Sequence, residues 1–246
     1  MNQNLGAIIL AAGKGKRMNA TDVNKVAMPL ADKPMIVHTI ELLETLGIKN
    51  IVVVVGFAKV SVMNILGQKV LFAEQRKRLG TAHAVLVGLR QIPKDIENII
   101  VLNGDDSAFY KKNLIEKLIE KHTSSNARLT FLTIEKDNPF GLGRIVRDKD
   151  GKVVAIIEEK DATKTQKKIK EINPGCYIFN IEFLRKYLPR IKRSEVSGEY
   201  YLTRIIDIGI KNSEYIETLV AGNIPWRGIN TSQELEEAEQ LLRNTK

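Results

Sequence analysis

The apolar run Ile8-Ile9-Leu10 passes through Ala11-Ala12 directly into Gly13-Lys14-Gly15-Lys16-Arg17-Met18, and no other stretch constrains the fold as tightly. An unbroken apolar segment suits a strand covered on both faces, as in a parallel sheet. The glycines that follow permit positive φ and bring backbone amides close to an anion, successive amides forming a concave nest. Lys14, Lys16 and Arg17 add cations for anionic oxygens. The junction therefore reads as a strand delivering a phosphate cradle. Two common cradles do not fit it. A P-loop needs four residues between its glycines and a hydroxyl after the lysine, whereas a single residue separates Gly13 from Gly15. A dinucleotide fingerprint needs a small residue in place of Met18 and an acidic one closing the second strand, yet Ile51 to Val55 runs into Gly56-Phe57.

The same alternation continues along the chain. Strands are expected at Ala7 to Leu10, Ile51 to Val55, Val70 to Phe72 and Ile99 to Leu102, with helices at Pro34 to Leu46, Ala58 to Leu66, Thr81 to Leu89 and Lys111 to Lys121. Arg128 to Ile134 alternates as a further strand, and Gly141 to Gly143 then breaks the rhythm. Asp148-Lys149-Asp150-Gly151 between Arg144 to Arg147 and Lys152 to Glu158 signals an antiparallel hairpin. Cys176 to Asn180 reads as a strand, Ile181 to Tyr187 and Tyr201 to Lys211 as helices, and Tyr215 to Val220 as a strand. A terminal helix follows, with Thr231 or Ser232 as cap and Glu234 to Glu237 complementing its dipole. The expected fold is α/β: a Rossmann-like mixed, mostly parallel sheet flanked by helices, with a small antiparallel lobe. Functional loops of such a sheet gather at the carboxyl ends of its strands.

Composition narrows the function class. With 246 residues and 43% hydrophobic content the chain has material for a sizeable core, and no apolar run approaches the ~20 residues that span a bilayer. A cytoplasmic protein without membrane partners is expected. The one cysteine, Cys176, excludes an internal disulfide framework and sits in strand-like surroundings as a packing residue. The net charge of +9 favours anionic partners. Its lysines cluster at Lys160 to Lys170 and its arginines at Arg185 to Arg193 without stacking aromatics, so nucleic acid is not the expected partner.

The chemistry-bearing carboxylates are Asp105 and Asp106, which follow the strand Ile99 to Leu102 through Asn103-Gly104 on the same sheet edge as the Gly13 loop. Magnesium takes one or two protein carboxylates together with waters and substrate phosphates, so one Asp at a strand end suffices. A plain turn or a helix cap is the competing reading of this pair. His38, His83 and His122 show no partners for nucleophilic catalysis and need no catalytic role.

These residues fall into a known pattern. Leu10-Ala11-Ala12-Gly13-Lys14-Gly15-Lys16-Arg17-Met18, Lys25 and Lys33-Pro34-Met35 resemble the sugar-1-phosphate nucleotidyltransferases. Glu74-Gln75, Leu79-Gly80-Thr81-Ala82-His83-Ala84, Gly104-Asp105, Gly143-Arg144-Ile145-Val146-Arg147, Glu158-Glu159-Lys160-Asp161-Ala162, Glu171-Ile172-Asn173 and Gly198-Glu199-Tyr200-Tyr201-Leu202-Thr203 look like the N-acetylglucosamine-1-phosphate uridylyltransferases among them. The likeness runs from about Ile8 to Asn230. It implies transfer of a uridylyl group from UTP to N-acetylglucosamine-1-phosphate, with Mg2+ as cofactor. It further implies that Leu10, Ala11, Ala12, Gly13, Gln75, Gly80, Thr81, Asn103, Gly104 and Asp105 bind the nucleotide, and that Arg17 and Lys25 serve catalysis at its phosphates. Gly143, Glu158 and Asn173 would bind the sugar, and Asp105 with Asn230 the metal. A single nucleotidyltransferase domain over residues 1–246, a sugar-binding lobe at about 140–200 and no C-terminal left-handed β-helix acetyltransferase domain complete the expectation.

The chain departs from the pattern at Lys16, where a threonine is usual, at Asn24, where a proline is common, and at Leu142, often aromatic. Asn230 also has a competing reading as a helix cap. Another sugar-1-phosphate or nucleoside triphosphate, a catalytically silent nucleotide-sugar sensor, and a weak nucleic-acid binder remain as alternative functions.

Overall fold

The structure, a computed structural model, describes residues 4–15, 18 and 22–243. In chain order the elements are β1 (Leu5–Ala11), β2 (Pro29–Leu30), β3 (Lys33–Pro34), α1 (Met35–Thr45), β4 (Ile51–Val55), α2 (Lys59–Leu66), β5 (Leu71–Glu74), α3 (Thr81–Leu89), β6 (Asn98–Asn103) and α4 (Lys112–Ser125). There follow β7 (Leu129–Glu135), β8 (Gly143–Arg147), β9 (Val153–Ile157), β10 (Glu171–Asn173), β11 (Tyr177–Asn180), α5 (Ile181–Tyr187), α6 (Arg204–Lys211), β12 (Ile216–Val220) and α7 (Ser232–Arg243). The chain forms two compact units, one of residues 1–78, 84–116 and 225–246, the other of 79–83 and 117–224. The fold class is the expected one: a mixed, mostly parallel sheet with flanking helices, plus a small antiparallel sheet.

In the first unit β5, β4, β1 and β6 lie in that order and all run parallel. Their Ile/Val/Leu runs are buried end to end in β4 and nearly so in β1, as strands covered on both faces require. Gly88 of α3 shows how tightly a helix lies on this sheet, since a Cβ there would stand 2.9 Å from Val54 Cγ2 and 3.0 Å from Ile8 Cγ2. Leu10 pairs with Asn103 on one side and Val54 on the other, so the carboxyl ends of β1, β4 and β6 share one edge.

In the second unit β7 pairs antiparallel with β11 and β10 and parallel with β12. β10, β8 and β9 continue as an antiparallel ladder. The β8–β9 hairpin turns as its Asp-Gly signal suggests: Asp148 Oδ1 accepts from Asp150 N and Lys152 N, each at 2.9 Å, and Gly151 takes φ 78°. Behind these strands runs an aromatic ladder, Phe131, Tyr177, Phe179, Phe183 and Tyr187, with successive centroids 5.0–6.4 Å apart. Cys176 is fully buried, as a packing residue should be.

One boundary differs from the sequence expectation. The helix expected from Tyr201 starts at Arg204. Tyr200 N and Leu202 N donate to Leu79 O and Thr81 Oγ1, and the carbonyls of residues 201–203 accept from Arg204, Ile205 and Ile206 three residues on, a tighter turn ahead of the helix. β10 was also not anticipated, because three residues hold too little alternation to register. Among the described residues no helix is long and apolar enough to cross a membrane.

Candidate active site

The nucleotide-side residues of the first unit collect at the carboxyl ends of its parallel strands. Gly104 N donates to Leu10 O at 3.1 Å, Phe57 N to Ala12 O at 3.3 Å and Gln75 N to Val55 O at 2.8 Å. These contacts lock the Leu10–Gly13 turn, the end of β4 and the end of β6 together. Gly104 is closely packed: a Cβ would meet Ile36 Cδ1 at 2.9 Å and Val26 Cγ1 at 3.2 Å. Gln75 is buried despite its polar side chain. Lys14 leans over the Phe57 ring, 5.5 Å from its centroid. Arg17, expected to serve the phosphates, lies outside the described residues.

Lys25 is the centre of the charged cluster. Its ammonium pairs with Asp105 Oδ2 and donates to Ile229 O at 2.6 Å and Asn230 Oδ1 at 3.3 Å. Asn230 is not the helix cap. Thr231 Oγ1 takes that role by accepting from Glu234 N at 3.1 Å, and Glu234 Oε2 accepts in turn from Asn230 N at 2.7 Å. The Asn230 side chain is thereby left pointing at Lys25. Three oxygens, one of them a carboxylate, converge on a positive charge, which is the donor set a hard cation prefers. An ammonium is the cation these oxygens meet, and Asp105 and Asn230 are the side chains that could hold a metal ion in its place. Among the described residues there is no cluster of three His, Cys, Asp or Glu side chains arranged for an all-protein metal cage. The Asp106 side chain does not cap the short 3-10 turn that follows. One of its oxygens accepts from Asn103 Nδ2 at 3.1 Å, and the other has no hydrogen-bond partner among the described residues. Burial first, and then the Asp105 charge, push its carboxyl well above the usual range.

Asn24 was not singled out as a site residue, yet it is among the most heavily bonded side chains here. Its amide group faces Phe57 O at 2.7 Å, Ala11 O at 3.0 Å and Gly13 O at 3.3 Å, and its Oδ1 accepts from Val26 N at 3.1 Å. The available signal was its place directly before Lys25.

Gly80 and Thr81, also expected on the nucleotide side, belong to the second unit. There the segment 79–83 is clamped to the 200–202 stretch: Tyr200 N donates to Leu79 O at 2.7 Å, Ala82 N to Tyr200 O at 2.9 Å and Leu202 N to Thr81 Oγ1 at 2.9 Å. Gly80 adopts φ 108°, and a Cβ on it would lie 2.5 Å from Tyr200 O.

The three residues expected on the sugar side lie together in the second unit, Asn173 on β10, Gly143 on the adjacent β8 and Glu158 directly after β9. Asn173 pairs directly with Gly143 across the β10–β8 ladder. The missing Cβ of Gly143 would point 3.7 Å from Glu158 Oε2. Glu158 Oε1 accepts from Thr203 Oγ1 at 2.8 Å, and burial raises its carboxyl above the ordinary glutamate value. Asn173 is fixed by Tyr177 OH and by Gly175 N, which donates to Asn173 Oδ1 at 3.2 Å. Each of these polar groups keeps hydrogen-bonding capacity for a hydroxyl-rich ligand. The adjacent Glu159 holds Arg144 at 2.6 Å and accepts from Gly141 N at 3.3 Å, tying the 139–142 loop down.

The sequence pattern of the protein family described as "Nucleotidyl transferase" matches residues 6–245. The chain belongs to that family.

Among curated proteins, this nucleotidyl transferase is 42% identical over 212 residues to "Bifunctional protein GlmU" of Carboxydothermus hydrogenoformans, covering 86% of this chain and 47% of that protein. It is 43% identical over 243 residues to the protein of the same name in Caldicellulosiruptor saccharolyticus, covering 96% and 51%. The chain thus spans about half the length of the curated relatives it matches. Among solved structures, a "Putative Glucose-1-Phosphate Thymidylyltransferase" of Bacillus anthracis in complex with a sucrose superposes with TM-score 0.82 at 23% identity, covering 98% of this chain and 96% of that one. At that identity the likeness speaks for the fold. Nucleotidyl transferases of this family work with a divalent metal, in keeping with the oxygen set around Lys25.

Proposed function

We propose that the chain transfers a uridylyl group from UTP to N-acetylglucosamine-1-phosphate, giving UDP-N-acetylglucosamine and pyrophosphate, with Mg2+ as the metal and the cytoplasm as its setting. The observation that carries this reading is the convergence of Asp105, Asn230 and Ile229 O on the Lys25 ammonium at the end of β6, beside a glycine turn. The likeness to relatives named GlmU supports the choice of nucleotide and sugar.

In the proposed reaction a phosphate oxygen of the sugar phosphate attacks the α-phosphorus of UTP in line. The new O–Pα bond forms as the bond from Pα to the bridging oxygen of pyrophosphate breaks. That nucleophile is already ionised, so no side chain has to take its proton, and the histidines stay outside the chemistry. His122 fits this: burial lowers its pKa to about 4 and its Nδ1 sits 2.9 Å from Thr130 Oγ1. When bound between Asp105, Asn230 and the nucleotide phosphates, Mg2+ would neutralise charge that builds on the phosphoryl oxygens. Lys25 and Arg17 add positive charge at the same oxygens, where an oriented cation in a dry site is worth most. Gln75, with a donor and an acceptor on one planar group, suits a pyrimidine edge, as do the backbone groups of Gly80 and Thr81. Glu158, when ionised, accepts from sugar hydroxyls, while Asn173 offers both donor and acceptor to the amino-sugar substituents.

Pyrophosphate release with Mg2+ is the test, run for each nucleoside triphosphate against N-acetylglucosamine-1-phosphate, glucosamine-1-phosphate and glucose-1-phosphate. Release confined to UTP with the acetylated sugar is expected. Release with a different pair would reassign Gln75 or Asn173, and no release with any pair would overturn the reading.

A further inference from the structure

We propose that Asn24 is a positioning residue of the phosphate site: its amide aims the backbone N–H groups of the Ala12–Lys14 turn at the triphosphate and sets the backbone from which Lys25 projects. The proposal rests on the nucleotidyl-transfer reading above.

Asn24 is almost completely buried, and both ends of its side chain are engaged. The amino end has two protons and faces three carbonyls, Phe57 O, Ala11 O and Gly13 O, at 2.7, 3.0 and 3.3 Å, so one proton is shared. Two of those carbonyls belong to the turn. A trans peptide holds its N–H opposite its C=O. When Asn24 draws the Ala11 and Gly13 carbonyls inward, the Ala12 and Lys14 amides of the same peptide planes face away from it. Two amides one residue apart, turned to the same side, make the anion-binding concavity that a glycine turn can adopt but does not hold unaided.

The carbonyl end of the side chain acts on the next residue. Asn24 Oδ1 accepts from Val26 N at 3.1 Å and so caps the 3-10 turn Lys25–Ala27 at the point where Lys25 leaves the backbone. Asn24 N donates to Ser61 Oγ at 3.0 Å, and that hydroxyl donates to Ala58 O at 2.7 Å, which fixes Asn24 to the start of α2. One residue therefore ties the amides of the turn to the lysine that balances the phosphates. Proline, the residue common at this place in similar sequences, could adopt the observed φ of −68° and ψ of 143°. It could supply neither the amide protons nor the capping oxygen, nor the backbone N–H that Ser61 Oγ accepts. The anchor is particular to a chain carrying Asn here.

The test compares Asn24→Ala, Asn24→Pro and Asn24→Asp with the parent chain. The Asp variant keeps the shape and the capping acceptor but sets an anionic oxygen against three carbonyls. Binding of inorganic pyrophosphate in the presence of Mg2+, by calorimetry, reads the phosphate site without the base or the sugar. The expected result is a loss of pyrophosphate affinity of about tenfold to a hundredfold in all three variants, the scale of a misplaced binding group. The KM for sugar-1-phosphate should stay within a factor of two or so, and circular dichroism should match the parent. The Pro variant, whose backbone preference matches the site, keeps the comparison open if Ala destabilises the unit. Unchanged pyrophosphate affinity in a folded variant would overturn the proposal, as would equal losses for pyrophosphate and sugar phosphate. If the parent binds pyrophosphate but makes no UDP-sugar, the transfer reading fails while the Asn24 result stands.

Discussion

Gly80→Ala is a stringent test of how the 79–83 segment is held. The added Cβ meets backbone on the partner stretch, 2.5 Å from Tyr200 O and 2.7 Å from Tyr200 N, and the native φ of 108° is one that an L side chain rarely adopts. The conformational strain is worth about 1–3 kcal/mol. Relieving the clash requires the segments to part, which sacrifices the bonds Tyr200 N to Leu79 O and Ala82 N to Tyr200 O, at about 0.5–1.5 kcal/mol each. Together these give a loss of about 2–6 kcal/mol. Urea unfolding followed by far-UV circular dichroism measures it against a matched control, Gly141→Ala, because Gly141 also has positive φ (80°) but nothing within 4 Å of a new Cβ. The control should lose only the conformational part, about 1–3 kcal/mol. UTP should also bind more weakly to Gly80→Ala. A loss no larger than the control's would show that the close approach to Tyr200 does not hold the segment.

Asp105→Ala should cut turnover by about 10³-fold and abolish Mn2+ binding measured by electron paramagnetic resonance, and retained metal binding would remove Asp105 from the site. Lys25→Met should lower turnover yet tighten Mn2+ binding to the nucleotide-free protein roughly fivefold, because an ammonium that now shares the Asp105 and Asn230 oxygens is gone; weaker Mn2+ binding would contradict that competition. Asn173→Ala should raise the KM for the sugar phosphate about tenfold with little change for UTP in steady-state kinetics. His122 has its pKa lowered by burial from 6.5 to about 4, so below pH 6.5 the unfolded chain gains a proton that the native one refuses. Stability should therefore be fully present above pH 6.5 and fall by about 3 kcal/mol at most as pH drops to 4, a slope that His122→Gln should flatten in urea titrations.

The parallel half of the fold was legible because Ile51 to Val55 and Ile99 to Leu102 are apolar runs bounded by glycine, and burial on both faces leaves no other pattern. The hairpin was legible through Asp148 to Gly151, where a short-range turn signal needs no tertiary information. What escaped reading depends on partners far away in sequence. Tyr201 to Thr203 has helical periodicity, but the bonds of Tyr200 and Leu202 to the segment at 79–82 accompany a tighter turn ahead of the helix. Asn24 looked like a departure from a pattern, and its role appears only once the Ala11, Gly13 and Phe57 carbonyls are seen around it. Asn230 stood open between cap and ligand until Thr231 took the cap. Residue types and order thus nominated the candidate residues, while the hydrogen bonds that fix each group were visible only in three dimensions.

The bonds that finish these sites span long stretches of chain. Thr81 waits for Leu202, 121 residues later, and Lys25 for Asn230, 205 residues later. During synthesis the strands β1, β4 and β6 are complete and able to pair while both closures still lie unmade. Non-local contacts of this span form late, after the local elements have paid their loop entropy. A nascent chain arrested before residue 200 would hold the glycine turn on its sheet, with Lys25 lacking its oxygens at Ile229 and Asn230 and the 79–83 segment lacking its partner stretch. Completion of both closures therefore waits until the chain has passed residue 230, long after the strands beneath them can pair.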